Sequence, residues 1–253
     1  MRGYGSPLAW GKDRLYFLGE KHGRVRLFEV PTGKGKTDAV YSDLVGQDED
    51  VVLEAIDVNE RIAAIVSTPT TLREVCLLES GKKPRPITRL NPQTDTWKLP
   101  MVKAVSWKGA NGDTVRGVLE LPADAKPGVP LPLIVAIHGG PTTSVPCSLE
   151  FNPYEGRCFL SAKGYAILCP NYRGSTGNGD KFLTDLIGKE NDLEVEDILK
   201  GVDALVERKI ADPDRLGVMG WSNGGYLTNC LIAKTTRFKA ASSGAGIVDT
   251  VME

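Results

Sequence analysis

At 253 residues, the chain is long enough for one large domain or two smaller ones. Hydrophobic residues make up 41% of it and charged residues 25%, which is the composition of a folded protein and excludes a disordered one. The 31 basic and 32 acidic residues leave a net charge of -1, so charge gives no reason to expect nucleic acid or a membrane as partner. The longest apolar runs, such as residues 131–137, are too short to span a bilayer.

The first ninety residues predict an antiparallel all-β segment. Short runs rich in β-branched and aromatic residues alternate with turn formers, and charged residues alternate with apolar ones along the second run. Short repeated strands fit the blades of a β-propeller, although two partial units cannot close one. We therefore expect residues 1–90 to be a partial propeller segment. The predicted strands are Arg14–Leu18, Arg24–Val30, Arg61–Val66 and Glu74–Leu78.

The pattern changes after a proline-containing connector at residues 85–103. Continuous apolar runs then alternate with helical periodicity, which predicts βαβ units and a mainly parallel sheet. We expect residues 91–253 to form this α/β domain. The predicted strands are Val115–Leu121, Leu133–Ile137, Tyr165–Cys169 and Arg215–Met219, with a turn at Asp212-Pro213 before the last of them. The predicted helices are Tyr154–Lys163, Asp192–Lys209 and Gly225–Lys234.

Ser222 is the strongest candidate for a catalytic residue. It is the centre of residues 220–224, Gly-Trp-Ser-Asn-Gly, which fit the Gly-x-Ser-x-Gly turn that exposes a nucleophilic serine between a strand and a helix. An apolar strand precedes this pentad and a helix follows it, as the motif requires. We therefore predict that Ser222 is the nucleophile of a serine hydrolase on an α/β fold.

A second motif follows the buried strand that ends at Ile137. Residues 138–141, His-Gly-Gly-Pro, form a turn that can aim a backbone N–H at the oxygen that becomes negative when an acyl carbonyl is attacked. The other donor expected in this fold is the backbone N–H of the residue after the nucleophile, Asn223. The two motifs together predict an oxyanion hole.

No histidine follows Ser222 in these 253 residues. His138 would complete a triad only in the chain order of the two-β-barrel proteases, which the βα alternation opposes. We interpret His22 as a solvent-exposed turn residue. Asp249 is positioned to be a catalytic acid but has no histidine partner, so we assign it to a structural loop. The glycine-rich residues 171–179 match no nucleotide-binding fingerprint and are interpreted as a loop that lines a cleft.

The five cysteines are odd in number and widely spaced, and no pair has the spacing of a metal site. We expect no disulfide framework, no metal and no cofactor. Reduced thiols favour a cytoplasmic protein and leave a periplasmic one possible. The first residues also lack the apolar core of a signal peptide.

Several motifs in the second half of the chain resemble the prolyl oligopeptidase family of serine peptidases, family S9. Its acylaminoacyl-peptidase and dipeptidyl-peptidase-like branches are the most similar. The motifs that carry the resemblance are residues 138–141, residues 171–177, Glu196-Asp197 and residues 220–226.

The resemblance implies an α/β-hydrolase domain preceded by a β-propeller. It implies that Ser222 is the nucleophile and that the backbones of Asn223 and Gly140 form the oxyanion hole. Many members carry tyrosine where this chain has Asn223, a change that leaves the backbone donor in place. The acid and the histidine of the family lie further along the chain than Glu253, so we expect a sequence truncated at both ends and inactive by itself.

The predicted function is that of a serine peptidase that cleaves short peptides through an acyl-enzyme on Ser222. An esterase or lipase-like hydrolase is the first alternative, because the serine turn does not distinguish esters from amides. A non-catalytic binding protein is the second, and it is preferred if these 253 residues are the whole natural product.

Overall fold

The computed structural model describes residues 8–32, 42–43, 50–152 and 156–248. The chain divides into two compact units. One comprises Met1–Trp97 with Pro146–Leu149, and the other comprises Lys98–Val145 with Glu150–Glu253.

The first unit contains one eight-stranded sheet with the order β1-β2-β3-β5-β6-β7-β8, and β4 pairs with β3. Neighbouring strands are antiparallel except for β3 and β5, which share one parallel pair at Val25 and Val52. The strands are β1 (Leu8–Trp10), β2 (Arg14–Lys21), β3 (Arg24–Pro31), β4 (Ser42–Asp43), β5 (Val52–Val58), β6 (Ile62–Thr68), β7 (Thr71–Leu78) and β8 (Arg85–Pro86).

The four strands predicted for the first ninety residues are confirmed as β2, β3, β6 and β7. The sequence reading missed β5, which carries Glu54 and Asp57 among its apolar residues. Leu18, Leu27 and Leu53 are fully buried in the core of this unit. Burial of each such side chain stabilises the fold by roughly 1.5–3 kcal/mol.

The predicted connector is more ordered than its prolines suggest. It contains β8 and a short 3₁₀ helix at Pro92–Thr96. The carboxylate of Glu74 accepts hydrogen bonds from the Thr88 hydroxyl at 2.5 Å, from the Leu90 backbone nitrogen at 2.7 Å and from that of Asn91 at 3.2 Å. One strand residue therefore fixes the path of the chain that follows β8.

The second unit contains a six-stranded sheet with the order β14-β13-β11-β12-β10-β9. The first four strands of this order are parallel, and β10 and β9 are antiparallel additions. The prediction of a mainly parallel sheet is confirmed. The strands are β9 (Met101–Lys108), β10 (Thr114–Leu121), β11 (Leu131–Ile137), β12 (Ala166–Asn171), β13 (Ala211–Trp221) and β14 (Phe238–Gly244).

Strand β13 differs from its prediction. It begins at Ala211, before the expected turn at Asp212-Pro213, and its pairing with β11 shifts register between Leu131 and Leu133. Ala211 pairs with Leu131 and Leu216 pairs with Leu133, so the polar residues between them bulge from the strand. The turn is therefore replaced by an irregular strand.

In the described part of this unit, four α-helices accompany the sheet: α1 (Arg157–Ala162), α2 (Asp180–Thr184), α3 (Leu193–Glu207) and α4 (Asn223–Lys234). Helix α3 confirms its prediction within two residues at each end, and α4 begins two residues earlier than expected. The first predicted helix is shorter than expected, and residues 153–155 lie outside the described part of the chain.

Spacings of three and four residues place the apolar side chains of α3 on one face. Ile198, Val202 and Leu205 are at most 1% exposed and pack in one cluster with Leu133 and Val135 of β11. Leu227 and Leu231 of α4 join the same cluster. This core fixes α4, and with it the carboxyl ends of β11 and β13, where the candidate site lies.

Candidate active site

Ser222 occupies a tight turn between β13 and α4. Its backbone angles are φ 57° and ψ -124°, a conformation that L residues rarely adopt and that is worth roughly 1–3 kcal/mol of strain. The backbone N–H of Ser222 donates to the carbonyl of Gly244 at 2.9 Å, and its carbonyl accepts from the N–H of Tyr226 at 3.0 Å. Both backbone polar groups of Ser222 are thus hydrogen-bonded, which holds the serine at the start of α4.

Glycines on either side make this turn possible. A β-carbon at Gly220 would overlap the carbonyl of Gly224, and one at Gly224 would overlap the carbonyl of Ile137 in β11. The backbone therefore passes itself, and the neighbouring strand, more closely than any side chain allows. This geometry is what the Gly-x-Ser-x-Gly pattern predicts.

The His-Gly-Gly-Pro turn lies against the serine. A β-carbon built on Gly139 would lie 3.2 Å from the Cβ atom of Ser222 and 3.8 Å from its Oγ atom. Gly140 follows with φ 121°, and a β-carbon there would lie 2.8 Å from the backbone nitrogen of Thr142. The two predicted motifs, 82 residues apart in sequence, therefore meet at the ends of adjacent parallel strands.

His138 is buried and bonded through both ring nitrogens. Its Nδ1 atom lies 2.6 Å from the carbonyl oxygen of Gly139, and its Nε2 atom lies 3.0 Å from the Ser175 hydroxyl. A carbonyl can only accept, so Nδ1 carries the proton and Nε2 accepts from Ser175. Burial lowers the pKa of His138 to about 4, and the hydrogen bond to Gly139 opposes this only in part. The imidazole is neutral and occupied, which supports the prediction that it is not the catalytic base.

Tyr172, which the sequence reading did not single out, connects both motifs. Its ring stacks on His138 with centroids 4.5 Å apart, and its hydroxyl donates to the His138 carbonyl at 2.8 Å. The same hydroxyl accepts from the side-chain amide of Asn223 at 3.0 Å. Burial raises the pKa of the Tyr172 phenol, so the hydroxyl keeps its proton. The sequence did contain one indication of its importance: Tyr172 follows a predicted strand, at the carboxyl edge of a parallel sheet, where functional sites form.

Arg173 anchors the loop after β12 through ion pairs with three aspartates. Its guanidinium is fully buried, and it contacts Asp185 at 2.6 Å, Asp113 at 2.9 Å and Asp197 at 3.4 Å. Burial alone would lower the pKa of Arg173, but the Asp197 carboxylate and its two companions raise it. Asp197 also accepts the backbone N–H of Ala110 at 2.7 Å. The arginine therefore ties the loop after β12 to α3 and to the turn before β10.

A cavity of about 250 Å³ adjoins the serine turn. Its walls include Ala136, Val145, Met219 and Trp221. Trp221 is 68% exposed, and its ring lies against Gly244. A pocket with an exposed indole and with both apolar and polar walls, which include Arg157 and Ser242, therefore opens beside the serine turn.

The sequence offered two other candidate residues, His22 and Asp249. His22 occupies the turn between β2 and β3, as expected, with φ 56°, and it is partly exposed. Asp249 lies outside the described residues. Within residues 8–32, 50–152 and 156–248, no three histidine, cysteine or acidic side chains gather as a metal site. In the same ranges, no helix has both the length and the apolar character needed to cross a bilayer.

Comparison with known proteins shows which family carries this arrangement. The model of the prolyl oligopeptidase family matches residues 154–253. A Bacillus subtilis protein, the uncharacterized peptidase YuxL, is 30% identical over 244 residues, which cover 92% of this chain and 35% of that protein. This chain belongs to the prolyl oligopeptidase family.

Two further matches agree with that assignment. The acylamino-acid-releasing enzyme of Arabidopsis thaliana is 43% identical over 113 residues, 44% of this chain and 14% of that enzyme. A Mycobacterium tuberculosis puromycin-hydrolyzing peptidase superposes with a TM-score of 0.77 at 29% identity, over 97% of this chain and 38% of that chain. The chain thus spans little more than a third of the relatives that it matches over most of its length. The fold is an α/β-hydrolase domain preceded by a partial β-propeller segment, as predicted.

Proposed function

We propose that this chain carries the nucleophile and the oxyanion hole of a serine peptidase that acts on short peptides. The observation that carries the proposal is the strained turn at Ser222 with the backbone of Gly139 against its side chain. The peptidases among its relatives support the reaction class. We also propose that the boundary between a propeller segment and the catalytic domain falls near residue 90.

In the proposed reaction, the Oγ atom of Ser222 attacks the carbonyl carbon of a peptide bond. The C–N bond then breaks, the amine leaves with the proton that the general base took from Ser222, and water hydrolyses the acyl-enzyme. Backbone N–H groups of Asn223 and Gly140 stabilise the negative oxygen of the tetrahedral intermediate. Each such donor is worth roughly 3 kcal/mol in the transition state. The proton of Ser222 goes to a general base other than His138, whose Nε2 atom is occupied by Ser175.

An active-site probe tests the nucleophile directly. We expect a fluorophosphonate to label the natural gene product that contains this sequence, and Ser222→Ala to abolish labelling. Ser106→Ala is the matched control, because Ser106 lies exposed on β9 and its labelling should equal that of the wild type. Labelling that survives in Ser222→Ala would refute the assignment.

Substrate class is tested by a direct comparison. We expect a short peptide anilide to be turned over with a higher kcat/KM than a butyrate ester, and both activities to vanish in Ser222→Ala. Preference for the ester would favour the esterase alternative. A pure protein that turns over neither substrate and resists the probe would favour a binding function.

A further inference from the structure

The loop after β12 braces the turn that contains Gly139 and Gly140. Asn171 forms two hydrogen bonds with the backbone of Val145, at 2.7 and 3.0 Å. The backbone N–H of Thr176 donates to the carbonyl of Thr143 at 3.1 Å. Residues 171–176, which we call the brace, therefore hold the far end of the 138–145 segment at two separate points.

Tyr172 is the member of the brace that contacts both segments that carry the proposed oxyanion donors, through His138 and through the side chain of Asn223. On one side its ring and hydroxyl hold His138, whose carbonyl belongs to the peptide that leads into Gly139. On the other side its hydroxyl holds the amide of Asn223, the first residue of α4. The side chain of Tyr172 is fully buried, so water does not compete for these bonds.

We propose that Tyr172 is a positioning residue that sets the spacing between the two oxyanion donors by bonding His138 and the Asn223 side chain with one hydroxyl group. The inference rests on the proposed function of the site. It also gives Asn223 a second role, because its side-chain amide fixes the orientation of the residue whose backbone N–H is the donor.

Geometry explains why one hydroxyl suffices. The hydroxyl donates a hydrogen bond to the His138 carbonyl and accepts one from the Asn223 amide. Neither His138 nor Asn223 can therefore move away from Tyr172 without breaking a buried hydrogen bond. Oxyanion donors act only when they lie within hydrogen-bond distance of the position that the oxyanion occupies in the transition state. A change in the spacing of the two donors therefore lowers kcat and leaves ground-state binding nearly unchanged.

The test uses the natural gene product with a peptide anilide substrate, and rates are normalised to the active sites titrated by a fluorophosphonate. Tyr172→Phe keeps the stacked ring and removes the hydroxyl. Asn223→Ala keeps the backbone donor and removes the amide. Tyr165→Phe is the matched control, because Tyr165 immediately precedes β12 and is exposed. We expect the first two variants to lose about 10- to 100-fold in kcat with KM changed less than twofold, and the control to match the wild type.

The double variant supplies the decisive readout. Because both single changes break the same bond, we expect Tyr172→Phe with Asn223→Ala to be no more than about threefold slower than the slower single variant. Affinity for a peptide aldehyde, whose adduct places an oxyanion in the hole, should fall in parallel with kcat. Unchanged kcat in Tyr172→Phe, or a rise in KM alone, would overturn the proposal. If that variant does not fold, Asn223→Ala alone decides by the same criteria.

Hydrogen exchange separates this inference from the proposed function. In Tyr172→Phe, we expect the amides of Gly139, Gly140 and Asn223 to exchange at least fivefold faster than in the wild type, and those of β10 to be unchanged. No Ser222-dependent turnover in the wild type would sink the peptidase proposal. Unchanged exchange would refute the positioning role whether or not the protein is active.

Discussion

The hydroxyl of Ser175 lies 3.0 Å from the Nε2 atom of His138 and donates a hydrogen bond to it. This bond uses the lone pair that a catalytic imidazole would need for the serine proton. The Nδ1 atom donates a second hydrogen bond to the carbonyl of Gly139. The two bonds hold the neutral imidazole in place within the turn. His138 is therefore a structural residue of the His-Gly-Gly-Pro turn.

The first prediction concerns this histidine and pH. The pKa of His138 is lowered from 6.5 to about 4 by burial, so between these values the unfolded chain binds a proton that the folded chain excludes. Stability should therefore fall by roughly 3 kcal/mol as the pH is lowered from above 6.5 to about 4. Urea unfolding at a series of pH values measures this loss, and His138→Asn should show less of it.

Proton NMR gives an independent check, since the chain contains two histidines. The imidazole resonance that disappears in His138→Asn should titrate near pH 4. A midpoint close to 6.5 for that resonance would contradict the predicted burial and its hydrogen bonds.

The second prediction concerns backbone strain at Ser222. Ser222 has φ 57°, which glycine adopts without cost, so Ser222→Gly should be more stable than Ser222→Ala by about 1 kcal/mol. Neither variant should react with a fluorophosphonate. Chemical denaturation of the two inactive variants makes the comparison, and equal stabilities would show that the turn is relaxed.

The third prediction concerns Glu74 and the connector. Burial alone would raise the pKa of Glu74, but the hydrogen bonds from Thr88, Leu90 and Asn91 lower it. Its contribution to stability is therefore present above the ordinary pKa of a glutamate and is lost as the pH falls through the lowered value. Glu74→Gln should destabilise the first unit by roughly 1–3 kcal/mol.

Limited trypsin digestion measures the loosening of the connector directly. Cleavage after Arg89 should be faster in Glu74→Gln than in the wild type. The control is Glu54→Gln, which breaks only an exposed pair with Arg73 and should leave the cleavage rate unchanged. Equal cleavage rates in both variants would show that the connector is held by other contacts.

The fourth prediction concerns the buried arginine. Arg173→Met leaves the fully buried carboxylate of Asp197 without its cation and should destabilise the fold by roughly 3–5 kcal/mol. Arg237→Met removes a partly exposed arginine paired with Asp203 and should cost less than about 1 kcal/mol. Urea midpoints measured above pH 7 compare the two, and similar losses would mean that the Arg173 network adds little to stability.

Much of this molecule could be predicted from local sequence pattern. The turn at Ser222 follows from a local requirement, because a β-carbon at Gly220 would overlap the carbonyl of Gly224. Helix α3 follows from its apolar spacing and the acidic residues of its first turn. Both features depend on residues within a few positions of each other, which is the range over which sequence pattern is informative.

The contacts that could not be predicted join distant residues. Asn223 and Tyr172 are 51 positions apart, and Trp107 donates its indole proton to the carbonyl of Asp197 across 90 positions. Neither periodicity nor residue spacing predicts such pairs, because they depend on how the strands are ordered in the sheet. The roles given to Ser222, Asn223 and Gly140 stay predictions until the experiments above are done.

Trp221 gives the molecule an optical reporter. Its indole is 68% exposed, precedes Ser222 in sequence and lines the cavity beside the serine turn. Trp10 and Trp97 are also exposed, at 69% and 49%, but they do not line this cavity, and Trp107 is 6% exposed. Indole emission shifts with the polarity around the ring, so a ligand that covers this cavity would change the fluorescence of the protein without any added label. The residue between glycine and serine in the motif can therefore signal when the site is filled.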